Sequence, residues 1–560
     1  MNIEAEVIRT LDSSVRAAAR EFGVDPDELE YARVLMRPPR KELGDLASNV
    51  ALHLSKVFGK SPKEVAEAIV SHLEPDGVVE RAEVAGPGFI NFFLRNEWLY
   101  DVLREVVHRG PRYGWAEPHG RSVNVEFVSA NPTGPLHIGA ARNAVIGDAL
   151  ARVMEAAGWR VVREYYFNDA GGQMDRFGAS VEARYLQLLG RDAEVPEDGY
   201  HGDYLIDVAR DILETFGYAL AELPPSERFE RLRHEGAERV LTMIRPTLER
   251  FGVRFDVFFS ERTLHASGGI DEAVRRLREA GHAYDAEGAV FFRATAFGDD
   301  KDRVLIRGDG TPTYFAADCA YLIDKFSRGF DHLVYVWGAD HHGDVVRVKG
   351  AAQALGYDPG SLEMILYQWV SLKRGGESIG MSKRAGRFLT LDELLDEVGA
   401  DATRFTLLSR SNDATIDFDI EVVKQQSMEN PVYYVQYGHA RIASIIRHAE
   451  ERGVRVLPIG DVDLTLLSTE SELDLLRAVA EMPEQVAQAD ELRAPHRLTH
   501  YSQAFAAQFH RFYTECRVVT DDEALTQARL WLCRAAKQTI ANVLGLIGIS
   551  APESMEREDA

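Results

Sequence analysis

Cysteine is scarce in this chain. Only Cys319, Cys516 and Cys533 occur among 560 residues, and no C-x-x-C pair is present. This scarcity argues against a disulfide framework and against a thiolate zinc site, and it fits a reducing cytoplasm. Long apolar runs are missing as well: none reaches the roughly 18 residues that a membrane helix needs, and the N-terminus lacks the apolar core of a secretory leader. We therefore expect a cytoplasmic protein with no membrane partner.

Positive charge is in deficit. The formal net charge is −25, whereas nucleic-acid binders are commonly basic. Phosphate binding needs only a local basic surface, so the global charge weakens an interaction with nucleic acid without excluding it. The length, with 45% hydrophobic and 27% charged residues, predicts an ordinary globular protein of three or four domains.

The pattern along the chain predicts three regions. Residues 1–118 form an α+β module that ends in a strand pair around Gly86-Pro87-Gly88. Residues 119–425 alternate strands with helices, which is typical of a parallel α/β sheet, and a charged helical insertion interrupts them at about 185–295. We expect the strand pattern to resume at 303–307 and 332–337. Residues 426–560 are predicted to be helical throughout.

One motif, residues 129–140 (SANPTGPLHIGA), lies between a predicted strand at 123–128 and a predicted helix at 141–157. A glycine-rich loop that leads into a helix N-terminus presents backbone N–H groups to phosphate. Gly134 and Gly139 allow a close approach of the backbone. At the helix entrance His137 is expected to donate a hydrogen bond to a triphosphate oxygen; the alternative is a histidine that only caps the helix.

A second motif, residues 379–384 (IGMSKR), precedes a helix that we expect to begin near Leu391. Lys383 could close over a triphosphate and stabilise the charge that builds up during phosphoryl chemistry, which depends on alignment and electrostatics. The alternative is a solvated basic loop.

In this order and at this separation, the two segments resemble the HIGH and KMSKS signatures of class I aminoacyl-tRNA synthetases. The segments 84–91, 131–139, 164–171, 309–318, 336–343, 430–437, 511–513 and 546–553 resemble arginyl-tRNA synthetases in particular. This resemblance covers essentially the whole chain. It implies a Rossmann-type parallel-sheet catalytic domain, an additional N-terminal domain that contacts the tRNA elbow and a helical anticodon-binding domain.

The resemblance also implies the reaction. L-arginine would be activated with ATP and Mg²⁺ to arginyl-adenylate and then transferred to the 3′-terminal ribose of tRNA(Arg), and the chain would work as a monomer without a tightly bound metal site. His137 and Lys383 would be catalytic. The ATP site would comprise Pro135, His137, Gly139, Ala140, Gly338, Asp340, His342, Met381, Ser382, Lys383 and Arg384. The arginine site would comprise Glu126, Ser129, Asn131, His137, Tyr314 and Asp318.

Physical chemistry agrees with carboxylates in the arginine site. A guanidinium is planar and permanently charged, so buried carboxylates bind it through paired hydrogen bonds. Two alternatives stay open: Glu126 could serve a structural network, and Asp318 could be an ordinary helix-face residue. The run Asp340-His341-His342-Gly343-Asp344 does not predict a metal site, because no third ligand is spaced to complete a tetrahedral set.

Candidate tRNA contacts lie in both terminal regions. Tyr433, Tyr437 and Arg441 share one helical face, which suits stacking on an unpaired base, although core packing is the alternative. The other candidates are Arg37, Arg40, Lys41 and Tyr513.

Both signatures depart from the family pattern. Ala140 and Gly380 each replace an expected phosphate donor, and Arg384 replaces the final serine. We hypothesise that Arg142 or Arg384 compensates. Two other functions stay open: a paralogue that binds tRNA or arginine without charging, and another class I enzyme such as a cysteinyl synthetase or a small nucleotidylyltransferase. The missing thiolates argue against the cysteinyl enzyme, and the helical C-terminal region argues against the nucleotidylyltransferase.

Overall fold

The computed structural model describes residues 3–38, 40–74, 77–379 and 389–555, apart from the side chain of Lys41. The chain forms two compact units. The first comprises residues 1–110, 446–480 and 508–536, and the second comprises residues 111–445, 481–507 and 537–560. None of the helices in the described part of the chain is long and apolar enough to cross a membrane.

Up to residue 110 a small antiparallel sheet packs with helices. The elements are α1 Ile3–Glu21, β1 Leu35–Met36, β2 Leu46–Ser48, α2 Val50–Phe58, α3 Pro62–Ser71, β3 Val79–Ala85, β4 Phe89–Leu94 and α4 Glu97–Arg109. The strand order is β1-β2-β4-β3. Ser61 and Glu64 form a capping box that begins α3, with Pro62 in its first turn. The predicted strand pair around Gly86-Pro87-Gly88 is confirmed as β3 and β4.

The second unit is built on a five-stranded parallel sheet. Its elements up to residue 423 are β5 Ser122–Glu126, α5 Ile138–Ala156, β6 Arg160–Phe167, α6 Gly172–Leu188, α7 Tyr204–Phe216, α8 Pro225–Arg250, β7 Val257–Ser260, α9 Arg262–Ala266, α10 Gly269–Glu279, β8 Ala283–Ala286, β9 Ala289–Phe292, β10 Arg303–Ile306, α11 Tyr314–Ser327, β11 His332–Gly338, α12 His342–Ala354, β12 Leu362–Tyr367, β13 Val370–Arg374, β14 Glu377–Ser378, α13 Leu391–Val398, α14 Ala400–Leu408, β15 Ile416–Asp419 and α15 Ile420–Val423.

The order of the parallel strands is β12-β11-β5-β6-β7. From β5 the chain proceeds outward through β6 and β7, and it then returns to the other side of β5 to add β11 and β12. The boundary between β5 and β11 is therefore a topological switch point, where open α/β sheets bind ligands at the carboxyl ends of their strands. All five side chains of β5 are buried, as expected for a central strand covered on both faces.

One part of the sequence prediction was wrong, and one strand that it predicted correctly lies in a different sheet. The region 185–295 is not all helical: β7 pairs in parallel with β6 as the fifth strand of the main sheet, and β8 and β9 form a hairpin. The strand expected at 303–307 exists as β10, but it pairs antiparallel with β9 in a separate three-stranded sheet. β7 is too short for its alternation to stand out in a charged region, and its partner β6 lies about 90 residues earlier in the sequence.

The C-terminal helices agree with the prediction. They are α16 Pro431–Glu451, α17 Glu470–Ala480, α18 Met482–Glu491, α19 His496–Glu515 and α20 Glu523–Leu546, and the described residues 431–555 contain no strand. The helix expected near Leu391 is likewise confirmed as α13.

Candidate active site

The loop after β5 begins with two residues in the left-handed region. Val128 has φ +65° and Ser129 has φ +42°, a conformation that is rare for a β-branched residue and concentrates at functional sites. Asn143 of α5 stabilises it: its Oδ1 accepts the Val128 N–H, and its Nδ2 donates to the Val336 carbonyl at 2.8 Å. A single buried amide thus joins β5 and β11 at the switch point. Sequence reasoning missed Asn143 because it lies inside a helix.

His137 occupies the N-cap of α5. Its Nδ1 accepts a hydrogen bond from the Gly139 N–H at 3.0 Å. With Nδ1 as the acceptor, a neutral imidazole carries its proton on Nε2 and can donate from that atom. The capping role and the phosphate-donor role are therefore compatible for His137.

The flank of the second signature reaches the first one. The Leu391 N–H donates to the Leu136 carbonyl at 2.8 Å, and His137 forms an isolated antiparallel bridge with Thr390. Of the second signature itself, Gly380, Met381, Ser382, Lys383 and Arg384 lie outside the described residues. The contact brings the C-terminal flank of one motif to the helix entrance of the other across some 250 positions of sequence.

A cavity of about 710 Å³ opens at this edge of the sheet. Most of the predicted ATP and arginine residues that are described line it: Glu126, Ser129, Asn131, His137, Gly139, Ala140, Tyr314, Asp318, Gly338 and Asp340. Pro135 and His342 do not. His341 lines the cavity instead of His342, because α12 begins at position 342 and the two neighbouring side chains point in different directions.

Sequence reasoning assigned no role to several other residues of the wall, which are Tyr166, Asn168, Gln173, Tyr335, Trp337, Asp344, Arg347, Tyr367 and Trp369. Some of them lie within segments 164–171 and 336–343, which resemble the family. The resemblance therefore indicated that these segments belong to the site, but it did not identify the individual side chains.

Glu126 is bound by a buried cation. Its Oε2 lies 2.6 Å from Nζ of Lys325, whose side chain is completely buried. The rings of Tyr321 and Tyr335 flank the ammonium at 4.4 and 4.0 Å, a further favourable interaction for a cation. The other carboxylate oxygen accepts the Ser129 hydroxyl at 3.1 Å. Glu126 therefore belongs to a structural network and to the cavity wall at once.

Asp318 is different. Among the described residues its carboxylate makes no hydrogen bond or ion pair. Enclosure by the cavity walls, with the negative charges of Glu261, Glu126 and Asp344, raises the pKa of Asp318 to about 7, although more than a third of the residue still reaches solvent through the cavity. Burial and the neighbouring carboxylates thus disfavour the ionised form of Asp318 more than Arg347 favours it.

Two other residues of the wall, His341 and Asp344, form an ion pair. Nδ1 of His341 lies 3.0 Å from Asp344, and this contact raises the pKa of His341. Arg347 donates to the same carboxylate at 2.6 Å. In the described part of the chain no group of His, Cys, Asp and Glu side chains could hold a metal ion.

Arg142 cannot replace the missing phosphate donor of the first signature. It is completely buried, and its guanidinium donates to the carbonyls of Gln368, Ser411 and Ala414 at 2.6, 3.1 and 2.7 Å. The hypothesis that Arg142 compensates for Ala140 is therefore wrong, because the side chain is buried and both terminal guanidinium nitrogens already donate to backbone carbonyls. The corresponding hypothesis for Arg384 lies outside the described residues.

The predicted tRNA contacts are distributed over both units. Tyr433 and Tyr437 stack on α16 with ring centroids 6.2 Å apart, and the guanidinium of Arg441 lies 5.2 Å from the Tyr437 ring. Tyr433 is only 8% exposed, which agrees better with packing than with base contact. Arg37, Arg40 and Tyr513 are exposed.

Comparison with known proteins covers nearly the whole chain. The family model of the arginyl tRNA synthetase N terminal domain matches residues 9–94, that of the class I (R) tRNA synthetase catalytic domain matches residues 102–201 and 218–443, and that of the DALR anticodon binding domain matches residues 435–555. The arginine–tRNA ligase of Carboxydothermus hydrogenoformans is 49% identical over 97% of this chain and 98% of its own length. That of Moorella thermoacetica is 49% identical over 99% and 100%.

Solved structures agree. Thermus thermophilus arginyl-tRNA synthetase superposes with a TM-score of 0.74 at 25% identity, covering 98% of this chain and 100% of that one. The Plasmodium falciparum enzyme, at 15% identity, has the same fold with a TM-score of 0.75 and 99% coverage of each chain.

The parallel sheet, with the loop and helix of the first signature at its switch point, defines the catalytic domain of a class I aminoacyl-tRNA synthetase. Because the N-terminal and anticodon-binding models match too, and relatives of known name align end to end, the chain belongs to the arginyl-tRNA synthetase family. It is an arginine–tRNA ligase, with arginine, ATP and tRNA(Arg) as its substrates.

Proposed function

We propose that the 710 Å³ cavity is the active site for both half-reactions, and that Asp318 is the main counter-charge for the arginine side chain. The supporting observation is the contrast between two carboxylates of one wall. Lys325 already balances Glu126, whereas Asp318 has no cationic partner among the described residues. A guanidinium that enters the cavity supplies the missing positive charge.

The other arginine contacts follow from the wall. Tyr314 and the second carboxylate, Glu126, border the side-chain pocket, while Ser129 and Asn131 at the end of β5 suit the α-amino group. Lysine ends in a compact ammonium and lacks the planar, multiply donating guanidinium of arginine. If lysine bound here, acceptors of the cavity wall would stay without hydrogen bonds, so the site favours arginine.

For activation, an arginine carboxylate oxygen attacks the α-phosphorus of ATP, and the bond to the pyrophosphate leaving group breaks. His137 donates from Nε2 to the triphosphate while Gly139, Ala140, Gly338 and Asp340 border the nucleotide. Pro135, His342 and the segment from Met381 to Arg384, with Lys383 as its catalytic residue, are assigned from sequence alone. ATP enters as its magnesium complex, in which the phosphates carry the metal.

In the second half-reaction, the 2′-hydroxyl oxygen of the terminal ribose of tRNA attacks the carbonyl carbon of arginyl-adenylate, and AMP leaves. We assign Arg37, Arg40, Lys41, Tyr437, Arg441 and Tyr513 to tRNA contacts, and the buried Tyr433 to packing. The chain is proposed to act in the cytoplasm as a monomer, as its resemblance to arginyl-tRNA synthetases implies.

ATP–pyrophosphate exchange tests this proposal. We expect exchange that depends on arginine and is stimulated by tRNA(Arg), with lysine and the remaining amino acids inactive. His137→Ala should lose most of the exchange, whereas Tyr185→Phe, a control whose hydroxyl donates to the Gly217 carbonyl at 2.6 Å away from the cavity, should keep it. Exchange with another amino acid, or none under any condition, would overturn the proposal.

A further inference from the structure

One tyrosine of the cavity wall lies at the carboxyl end of β6. Tyr166 pairs with Phe259 of β7, and its ring packs 4.7 Å from that of Tyr321, centroid to centroid. Its backbone N–H donates to Oγ of Ser129 at 3.2 Å. Packing and backbone contacts thus fix the ring beside the residues proposed to bind arginine.

The hydroxyl hydrogen of Tyr166 is committed to a buried carboxylate. The phenolic oxygen donates to Oε2 of Glu261 at 2.6 Å. Glu261 follows β7, is only 4% exposed and does not line the cavity. Its other carboxylate oxygen lies 3.5 Å from His265, one turn further along the chain. Glu261 therefore lies outside the cavity lining, where it contacts His265, and Tyr166 lies between Glu261 and the cavity.

A phenol has one hydrogen and two lone pairs. Because Glu261 takes the hydrogen, the oxygen of Tyr166 can act only as an acceptor towards a ligand. Burial and the charges of Glu261, Asp318 and Glu126 raise the pKa of Tyr166, so the phenol stays protonated and this hydrogen bond persists. The wall beside Asp318 consequently offers acceptors, and a guanidinium offers only donors.

Resting on the function proposed above, we propose that Tyr166 is a specificity-determining residue that accepts a guanidinium N–H, and that Glu261 is a positioning residue that acts through it. Arginine matches this wall with N–H groups. A ureido side chain of the same shape, as in citrulline, places a carbonyl oxygen against an acceptor, which leaves both oxygens without a hydrogen.

Tyr166→Phe removes the acceptor and keeps the ring. We expect the KM for arginine in tRNA-dependent pyrophosphate exchange to rise roughly 10- to 100-fold, the range for one hydrogen bond to a charged group. The kcat and the KM for ATP should change less than about threefold, since the reacting atoms are untouched. Inhibition by citrulline should change little, so that the ratio of citrulline to arginine affinity rises.

Glu261→Gln and the double variant test the positioning role. Glu261→Gln should raise the KM for arginine by less than Tyr166→Phe, and adding it to Tyr166→Phe should have almost no further effect. If the two substitutions had additive effects on the KM for arginine, Glu261 would act independently of Tyr166, and its proposed positioning role would be overturned. The matched control is Tyr284→Phe, which removes the same kind of hydrogen bond, to Asp302 at 2.8 Å, away from the cavity.

The outcomes separate the two proposals. If the unaltered chain exchanges pyrophosphate with arginine and Tyr166→Phe leaves the KM for arginine unchanged, the inference about Tyr166 fails alone. A fall in kcat without a change in KM overturns it as well, because that pattern indicates altered chemistry. If the unaltered chain shows no arginine-dependent exchange, the proposed function fails.

Discussion

Two carboxylates of the same cavity wall have opposite surroundings. Glu126, at the end of a central strand, is bonded to a fully buried ammonium, whereas Asp318, on the surface of α11 that faces the cavity, has no cation partner among the described residues. The difference teaches how one site can contain several carboxylates and still recognise a single positive charge. Glu126 is balanced within the protein, and we propose that Asp318 is left for the substrate.

A third carboxylate, Glu164, is buried in the main sheet away from the cavity lining. Glu164 of β6 receives two hydrogen bonds from Arg328 at 2.6 and 2.8 Å and one from Asn124 at 2.7 Å. Burial alone would raise the pKa of Glu164, but Arg328 and the neighbouring Lys325 and Tyr321 bring it below its usual range. Glu164, which does not line the cavity, thus has its own cation.

The largest effect is expected for Asp318→Asn, which removes the charge and keeps the shape. Loss of one partner of an enclosed charge pair costs about 2–5 kcal/mol, or roughly 30- to 3,000-fold in kcat/KM for arginine. Pyrophosphate exchange measures this. Asp324→Asn is the matched control, because Asp324 lies on the same helix and pairs with Arg328 at 3.0 Å. If Asp318→Asn lowered kcat/KM for arginine by less than about fivefold, Asp318 would not be the main counter-charge for arginine.

Lys325→Met tests whether Lys325 balances the buried charge of Glu126. It leaves Glu126 buried without its cation, and we expect a destabilisation of about 3–5 kcal/mol, seen as a lower midpoint of urea unfolding. Adding Glu126→Gln should restore most of the stability, since no unpaired charge remains. Arg328→Met should cost less, because the Arg328 side chain is 28% exposed and Glu164 keeps its other donors. Equal losses for the two cations would argue against a special role of burial at Lys325.

The smallest effect concerns pH. Arginine binds the ionised form of Asp318, whose pKa is raised to about 7 by enclosure and by Glu261, Glu126 and Asp344, with Arg347 opposing. Below pH 7 binding must expel a proton, so the KM for arginine should rise by up to about tenfold per pH unit and should level off above pH 8. In Asp318→Asn this dependence should disappear. His341→Gln should retain it, which separates Asp318 from the other titrating group of the wall.

Much of the fold was predictable because local patterns carry it. The strand pair at 79–94, the central strand near Val123, the helix after Gly139 and the C-terminal helices all follow from periodicity and turn residues. Strand β7 was not predictable, since its four residues lie in a charged region and become a strand only by pairing with β6.

The site, like the fold, has features that sequence motifs predict and features that depend on residues distant in sequence. The signatures and their neighbours identified the cavity and most of its predicted residues. Neither the burial of Arg142 under three backbone carbonyls nor the pairing of Lys325 with Glu126 could be read from sequence, because the partners are separated by some 200 residues.

The sequence by itself determined the class of enzyme, the amino acid that it activates and the order of its domains, because signature motifs and local periodicity are properties of neighbouring residues. Only the tertiary structure decided which of the two carboxylates is paired with a cation of the protein. Charge balance depends on what lies within a few ångströms in space, and there a lysine 199 positions away neutralises Glu126 while Asp318 stays open to the cavity.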